Sequence, residues 1–325
     1  MISEQQHTDF ITAYPSVLQN ESMAAHTYLK IGGPARLFFV ASTSDELVGA
    51  VEFAVAHQIP WYVIGGGSNL LVSDDGFDGV VIQAADRQFS IEGQRVTSAP
   101  GIFTGLLANA TVTAGLTGFE WGAGVPGTIG GATYGNAGCF GGEMKDAVVS
   151  VKAYDVRQAK RVTYTSEECR FGYRDSRFKH ESHLILKIIM ELKPDVSGEG
   201  RKKIDEIIAK RKDTQPQGAF SAGCLFKNFE YGDESALEKL KREVDEIPAA
   251  MLQNKTIAAG WLIDKVGLKG KTIGKAQVSP VHGNFLVNLG GARAQDVIML
   301  SSLVKMKVRD ELGVLLEDEV QYLGF

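Results

Sequence analysis

Trp121–Gly142 reads WGAGVPGTIGGATYGNAGCFGG and carries nine glycines where an ordinary globular chain would place side chains. Each of these glycines loses more backbone freedom on ordering than another residue would, so such density implies backbone held at φ > 0 or lying flat against something bulky. Pro126 fixes one φ, and Ile129, Ala132 and Ala137 add only small apolar cover, leaving bare N–H groups of the kind that hold a phosphate or a polar ring edge. A flexible linker would lack the interspersed Trp121, Val125, Ile129, Tyr134 and Phe140. The stretch therefore reads as a ligand cradle.

Working outward, 325 residues exceed a single core and imply two or three domains. Net charge is −5 from 34 basic and 39 acidic side chains with no block of like charge, which argues against a nucleic-acid or membrane-surface partner. MISEQQHTDFITAYP has no basic stretch leading into an apolar one, and no later apolar run is long enough to span a bilayer, so a soluble cytoplasmic chain is expected. Cys139, Cys169 and Cys224 form neither a CxxC pair nor a zinc spacing and suit a reducing compartment. Six scattered histidines point to no metal site.

Before the cradle, Leu37 to Val40 reads as a strand. A helix follows from the capping-box spacing of Thr43 and Glu46, with Leu47, Val48, Val51, Ala54 and Val55 on one face and Pro60 as its limit. Trp61 to Ile64 is a buried strand running into Gly65-Gly66-Gly67-Ser68-Asn69, a phosphate-sized turn that is neither GxGxxG nor a P-loop. Gly79 to Gln83 is a strand, Phe89 to Ser98 a hairpin turning at Glu92-Gly93, and Phe103 to Ala114 a helix. Beyond the cradle, Val148 to Tyr154 and Arg161 to Tyr164 alternate as antiparallel strands, and Leu184 to Met190 is strongly apolar. Lys193 to Gly200 is the candidate boundary, with the charged helix Arg201 to Lys212 opening the next domain. There, Asp233 to Ile247 and Ala258 to Val266 are expected as helices, Val281 to Asn288 as a strand, Gln295 to Leu312 as a long helix ending at Gly313, and Val314 to Gly324 as the terminal strand. The fold class is α+β: residues 1–80 and 81–194 as two subdomains, 195–313 as a further domain, with strand 314–325 returning to the first.

Seven motifs in order, GGGSNLLV (65–72), GVPGTIGGATYGNAG (124–138), ECRFGYRDSRFK (168–179), SAGCLFKN (221–228), AAGWLID with GLKG (258–270), VHGNFLVN (281–288) and GVLLEDEVQYLG (313–324), closely resemble the UDP-N-acetylenolpyruvoylglucosamine reductase family. The resemblance runs from about Thr27 to Gly324. The short interval between Met190 and Gln215 is similar to the class lacking an extra substrate-covering loop. It implies a two-subdomain FAD-binding fold of the vanillyl-alcohol oxidase-like type plus a substrate domain. It also implies a flavoprotein oxidoreductase of peptidoglycan precursor synthesis, which serves cell wall biogenesis, cell shape and cell division; a monomer is expected. Non-covalent FAD, NADPH as co-substrate and a UDP-sugar substrate follow from the same likeness.

In this family reduced flavin gives hydride to an enolpyruvyl double bond, so the site must stabilise an enolate-like oxyanion and deliver one proton. By resemblance Arg174 of GYRDS is the charged donor to the substrate carboxylate, suited by its two-pronged geometry. Glu319 of LEDEV assists there, with a raised pKa expected because a bare carboxylate would repel the enolate. The family usually has serine as proton donor where this chain has Cys224. A thiol is the stronger acid, with an ordinary pKa of about 8.5, but it is open to ionisation and oxidation. Ser221 is the second candidate donor. The resemblance places Gly65, Gly66, Gly67, Ser68 and Asn69 at the flavin pyrophosphate and Gly127, Gly130, Gly131, Asn136 and Gly138 along its ribityl chain and ring. Tyr173, Lys227 and Asn228 fall at substrate positions.

Each residue also has a plainer reading. A Cys is usually an inert small hydrophobe, Arg174 can pair with Asp175, Glu319 can be solvated, Tyr173 can be core packing and Lys227 a surface cation. His282 reads as a packed or hydrogen-bonding residue rather than a base, and Asn284 and Asn288 as polar contacts of low specificity. An oxygen-consuming flavin oxidase of the same fold and a catalytically silent homologue are the competing functions; both Arg174 and Glu319 are present, which disfavours the silent one.

Overall fold

The computed structural model describes residues 2–325. They divide into two compact units: the segment ending at Glu21 with Ala35–Gly67 and Phe77–Asp213, and Ser22–Pro34 with Ser68–Gly76 and Thr214–Phe325.

The first unit contains a sheet in the order Leu18–Ser22, Pro34–Ala41, Phe77–Ala84, Trp61–Ile64, in which Phe77–Ala84 runs parallel to both of its neighbours. The crossover helix Ser44–Ala56 starts where its cap predicts: Thr43 Oγ1 accepts the Glu46 N–H at 3.1 Å. The Glu46 carboxylate reaches back one residue further than expected, accepting the Ser42 N–H at 2.7 Å. Leu47, Ala50, Val51 and Ala54 bury the helix face in a core with Leu37, Phe39, Val80 and Ile82. Helix Glu4–Ala13 was not foreseen, although Ser3 and Gln6 form a capping box and Phe10 is fully buried against Tyr14 and Phe53.

A second core of the same unit lies on an antiparallel sheet ordered Lys160–Thr165, Val148–Asp155, His183–Glu191, Arg95–Ser98, Phe89–Glu92. Helix Gly200–Thr214 corrects the boundary expected near 195–200, because it belongs to this unit and not to the next. Its composition is charged, but Ile204 is fully buried, Ile207 packs on the second core, and the Arg211 guanidinium donates to the Gly124 carbonyl. Those three anchors outweigh the Pro and Gly signals of the preceding loop.

The second unit is built around helix Ala294–Lys307, which continues through a widened turn to Gly313 at φ +75°. The Asp74 carboxylate accepts the Ala294 and Gln295 N–H groups at 2.8 and 3.1 Å, closing the start of that helix. Leu70–Val72 pairs in parallel with Gln321–Leu323, which draws residues 68–76 into this unit. Three expectations are trimmed here. Of Asp233 to Ile247, only Glu234–Leu237 and Glu238–Glu243 are helical; the chain is extended from Val244, and Pro248 disfavours helix at Ile247. Of Val281 to Asn288, only Leu286–Asn288 is strand, because Ser279 Oγ accepts the Val281 and His282 N–H groups and turns the chain. Of Val314 to Gly324, only Gln321–Leu323 forms a regular strand.

Among the described residues no helix is long and apolar enough to cross a membrane. Leu71 is fully buried in the core of the second unit. Leu71→Ala should therefore lower unfolding stability by about 2–5 kcal/mol, read as a shifted denaturant midpoint.

Candidate active site

In the first unit the two glycine stretches meet. A Cβ on Gly65 would strike Thr128 Oγ1, and one on Gly66 would sit 3.0 Å from Gly127 Cα, so the turn after Trp61–Ile64 lies against the Gly127 backbone and the Thr128 side chain. Gly67 and Gly127 hold φ of +65° and +97°, which a side chain would strain. Thr128 caps the short helix Ile129–Tyr134, on which Gly131 is exposed and would meet nothing nearer than 3.7 Å. Gly65, Gly66 and Gly131 thus leave bare backbone at an accessible surface, which suits a diphosphate or a flat ring.

Other glycines serve the chain itself. Gly130 packs on Pro100, with a notional Cβ at 2.6 Å from its Cβ, Gly138 on the Gly142 carbonyl, and Gly142 on the Trp121 indole. Asn136 is likewise committed: it is fully buried at φ +42°, donating to Glu143 Oε2 at 2.7 Å and to the Gly172 carbonyl at 2.8 Å while accepting the Lys145 N–H at 3.0 Å. Its amide ties the glycine stretch to the turn that carries Arg174.

That turn closes with reciprocal backbone bonds between Gly172 and Asp175, at 3.0 and 3.2 Å. Arg174 sits at φ +53°, a conformation costing about 1–3 kcal/mol that persists only where the surroundings enforce it. The enforcement is visible. Lys179 Nζ donates to the Arg174 carbonyl at 2.7 Å, Ser176 Oγ donates to the Tyr134 carbonyl at 2.7 Å, and Asn136 holds Gly172. The guanidinium itself donates to the Gly138 carbonyl at 3.1 Å and lies 5.4 Å from the Tyr173 ring centroid. Arg174 therefore rests on the glycine stretch at Gly138, with Tyr173 beside its guanidinium.

In the second unit the segment Cys224–Lys227 runs between two others. Cys224 bridges Phe285, and Leu225 N–H donates to the Asn284 carbonyl at 2.9 Å. On the other side Lys227 N–H donates to the Glu317 carbonyl at 2.9 Å and Glu319 N–H to the Leu225 carbonyl at 2.8 Å. Cys224 and Glu319, far apart in sequence, are thereby held on neighbouring backbone, both half-buried. Asn69 donates one amide hydrogen to the Glu319 carbonyl at 3.1 Å, so it buttresses that residue. Asn228 Oδ1 accepts the Ala259 N–H at 3.1 Å at the start of helix Ala259–Lys265, and Lys227 Nζ lies 3.2 Å from Glu317 Oε2. The Ser221 hydroxyl is engaged inside its own turn, accepting the Gly223 N–H at 3.2 Å and donating to the Gly223 carbonyl at 3.4 Å.

Sequence reasoning missed the part played by Asn284. Its side chain grips Phe226, and its N–H donates to His282 Nδ1 at 3.2 Å. That acceptor role requires a neutral ring, and burial first, then Lys269, depress the His282 pKa below its ordinary range. The unfolded chain takes up this proton below about pH 6.5 while the folded one resists it, so stability is lost as pH falls through that range. His183, buried in the first unit, is shifted in the same direction. The thermal midpoint should accordingly drop on acidification, and His282→Gln should flatten part of the drop.

Residues 35–163 match the FAD binding domain family, and residues 215–323 match the family described as UDP-N-acetylenolpyruvoylglucosamine reductase, C-terminal domain. A UDP-N-acetylenolpyruvoylglucosamine reductase of Heliobacterium modesticaldum is 37% identical across 94% of this chain and 90% of its own. One of Caldanaerobacter subterraneus is 34% identical across 94% and 93%. The crystal structure of UDP-N-acetylenolpyruvylglucosamine reductase from Thermus caldophilus aligns over 95% of this chain and 98% of its own, at 33% identity and a TM-score of 0.73. With an FAD-binding domain, a matching C-terminal domain and relatives this similar over nearly the full length, the chain belongs to the UDP-N-acetylenolpyruvoylglucosamine reductase family of flavin-dependent oxidoreductases.

Proposed function

We propose that this protein reduces UDP-N-acetylglucosamine enolpyruvate to UDP-N-acetylmuramate with NADPH, as a cytoplasmic monomer supplying peptidoglycan precursor. The observation that carries this reading is the full-length likeness to the named reductases together with the retention of Arg174 and Glu319. FAD, when bound, supplies the carrier that takes hydride from NADPH and passes it to the alkene. Gly65, Gly66, Gly67, Ser68, Gly127 and Gly131 hold it in this reading, through bare backbone and a small hydroxyl.

The remaining chemistry falls to side chains. Hydride arriving at one alkene carbon drives the electron pair toward the substrate carboxylate, and the neighbouring carbon then takes a proton. Arg174 meets the carboxylate with two N–H groups, and its turn resists reorganisation because three hydrogen bonds already fix it. Glu319 enters protonated, sharing its hydrogen with the developing oxyanion rather than repelling it. Cys224 gives the Sγ proton to carbon and regains it from solvent, a role supported by the engagement of the Ser221 hydroxyl elsewhere. Lys227 exchanges its Glu317 partner for the diphosphate of the UDP group.

Purified protein should be yellow and oxidise NADPH continuously without oxygen only when the enolpyruvyl UDP-sugar is present; turnover supported by oxygen alone would overturn the reading. Arg174→Met and Glu319→Gln should each reduce kcat by roughly 10²–10³. Cys224→Ser should stay active and Cys224→Ala should not; an alanine variant as fast as the parent would remove Cys224 from the reaction.

A further inference from the structure

Asn284 is 2% exposed and lies among apolar residues, yet every polar atom of its side chain has a defined use. Oδ1 accepts the Phe226 N–H at 3.0 Å, and Nδ2 donates to the Phe226 carbonyl at 2.8 Å. The side-chain amide thus copies a peptide of a paired strand, facing Phe226 just as a neighbouring residue's own N–H and C=O would. Its main chain completes the edge, for the Asn284 carbonyl accepts the Leu225 N–H at 2.9 Å. Phe226 is itself 1% exposed, so no water can replace either bond.

The gripped residue is the middle of the segment that bears the candidate acid. Cys224 is two residues before it and bridges Phe285, directly after Asn284. On the opposite edge Phe226 bridges Asp318, and the Leu225 carbonyl accepts the Glu319 N–H at 2.8 Å. One buried amide therefore fixes Phe226 between the edge that bears Phe285 and the edge that bears Glu319.

We propose that Asn284 is a positioning residue that sets the thiol of Cys224 against the carboxyl of Glu319, acting through Phe226; this rests on the reductase reading above. Its effect belongs to the half of the cycle that needs a proton. Reduction of the bound flavin by NADPH consumes no proton from Cys224, whereas reduction of the enolpyruvyl group does. An ångström-scale displacement of the acid slows the second step by about 10²-fold and leaves the first alone.

The test uses the holoenzyme of the parent, Asn284→Asp and Asn284→Ala. Asn284→Asp keeps the acceptor toward the Phe226 N–H, removes the donor toward its carbonyl, and is the variant that folds if alanine does not. Stopped-flow absorbance follows flavin reduction by NADPH and then reoxidation by the UDP-sugar, and mass spectrometry follows iodoacetamide labelling of Cys224. The expected result is parental reduction, reoxidation slowed about 10²-fold, and faster labelling of Cys224. Unchanged reoxidation with unchanged labelling overturns the proposal, as does an equal loss in both half-reactions, which marks a purely structural role. If the parent is not reoxidised by the UDP-sugar, the reductase reading fails, and labelling of Cys224 at the parental rate in Asn284→Asp overturns the coupling separately.

Discussion

The first unit depends on the close approach of Gly65 and Gly66 to Gly127 and Thr128. Gly66 can lie on the Gly127 backbone because neither carries a Cβ, and Gly65 leaves room for the Thr128 side chain that caps helix Ile129–Tyr134. Glycine density in Trp121–Gly142 then divides into two purposes. Gly130, Gly138 and Gly142 let the chain fold tightly on Pro100, its own backbone and Trp121, which holds the loop rigid. The rigidity is what allows Gly131 to remain bare at the surface without the loop collapsing onto it.

A loop-rich site of this kind cannot draw on long ladders for its backbone bonds, and buried side-chain amides and carboxylates take their place. Asn136 joins the cradle to the Arg174 turn, Asn284 completes the edge beside Phe226, and Asp74 closes the start of Ala294–Lys307. Asn288 reaches the Leu29 carbonyl at 2.9 Å and accepts from Gly290 and Ala292. Each supplies a partner to a backbone group that has no ladder neighbour. The strained φ of Arg174 is tolerated for the same reason, since the bonds from Lys179 and Asn136 exist only when the turn adopts it.

The sequence was legible wherever the information is local. The cap and apolar face of Ser44–Ala56, the hairpin at Glu92-Gly93 and the Gly313 terminus are each encoded within a few residues and appear as expected. Helix Glu4–Ala13 is encoded locally too, by Ser3 and Gln6, but its mostly polar surface offers a single buried residue, Phe10, and so no apolar stripe. What could not be read is nonlocal. Asn284 acts on Phe226 58 residues away and Asn288 on Leu29 259 residues away, and nothing beside an asparagine in the chain announces such a partner. For Asn136 the family likeness implies flavin contact, and nothing in its neighbourhood along the chain announces the three bonds that also tie it into the loop.

The thiols of Cys169 and Cys139 are both shaped by burial. Burial pushes the Cys169 thiol up to about 12, so it stays protonated through the physiological range. Cys139 is pushed up to about 11 by burial despite the opposing pull of Arg211 and Arg174, and its hydrogen is engaged by the Trp121 carbonyl at 3.2 Å. A thiolate is needed for alkylation and for oxidation to sulfenic acid, so neither of these two thiols competes at neutral pH. Cys224, half-buried next to the Leu225 carbonyl that accepts the Glu319 N–H, is the thiol whose own labelling has to be followed to learn its reactivity.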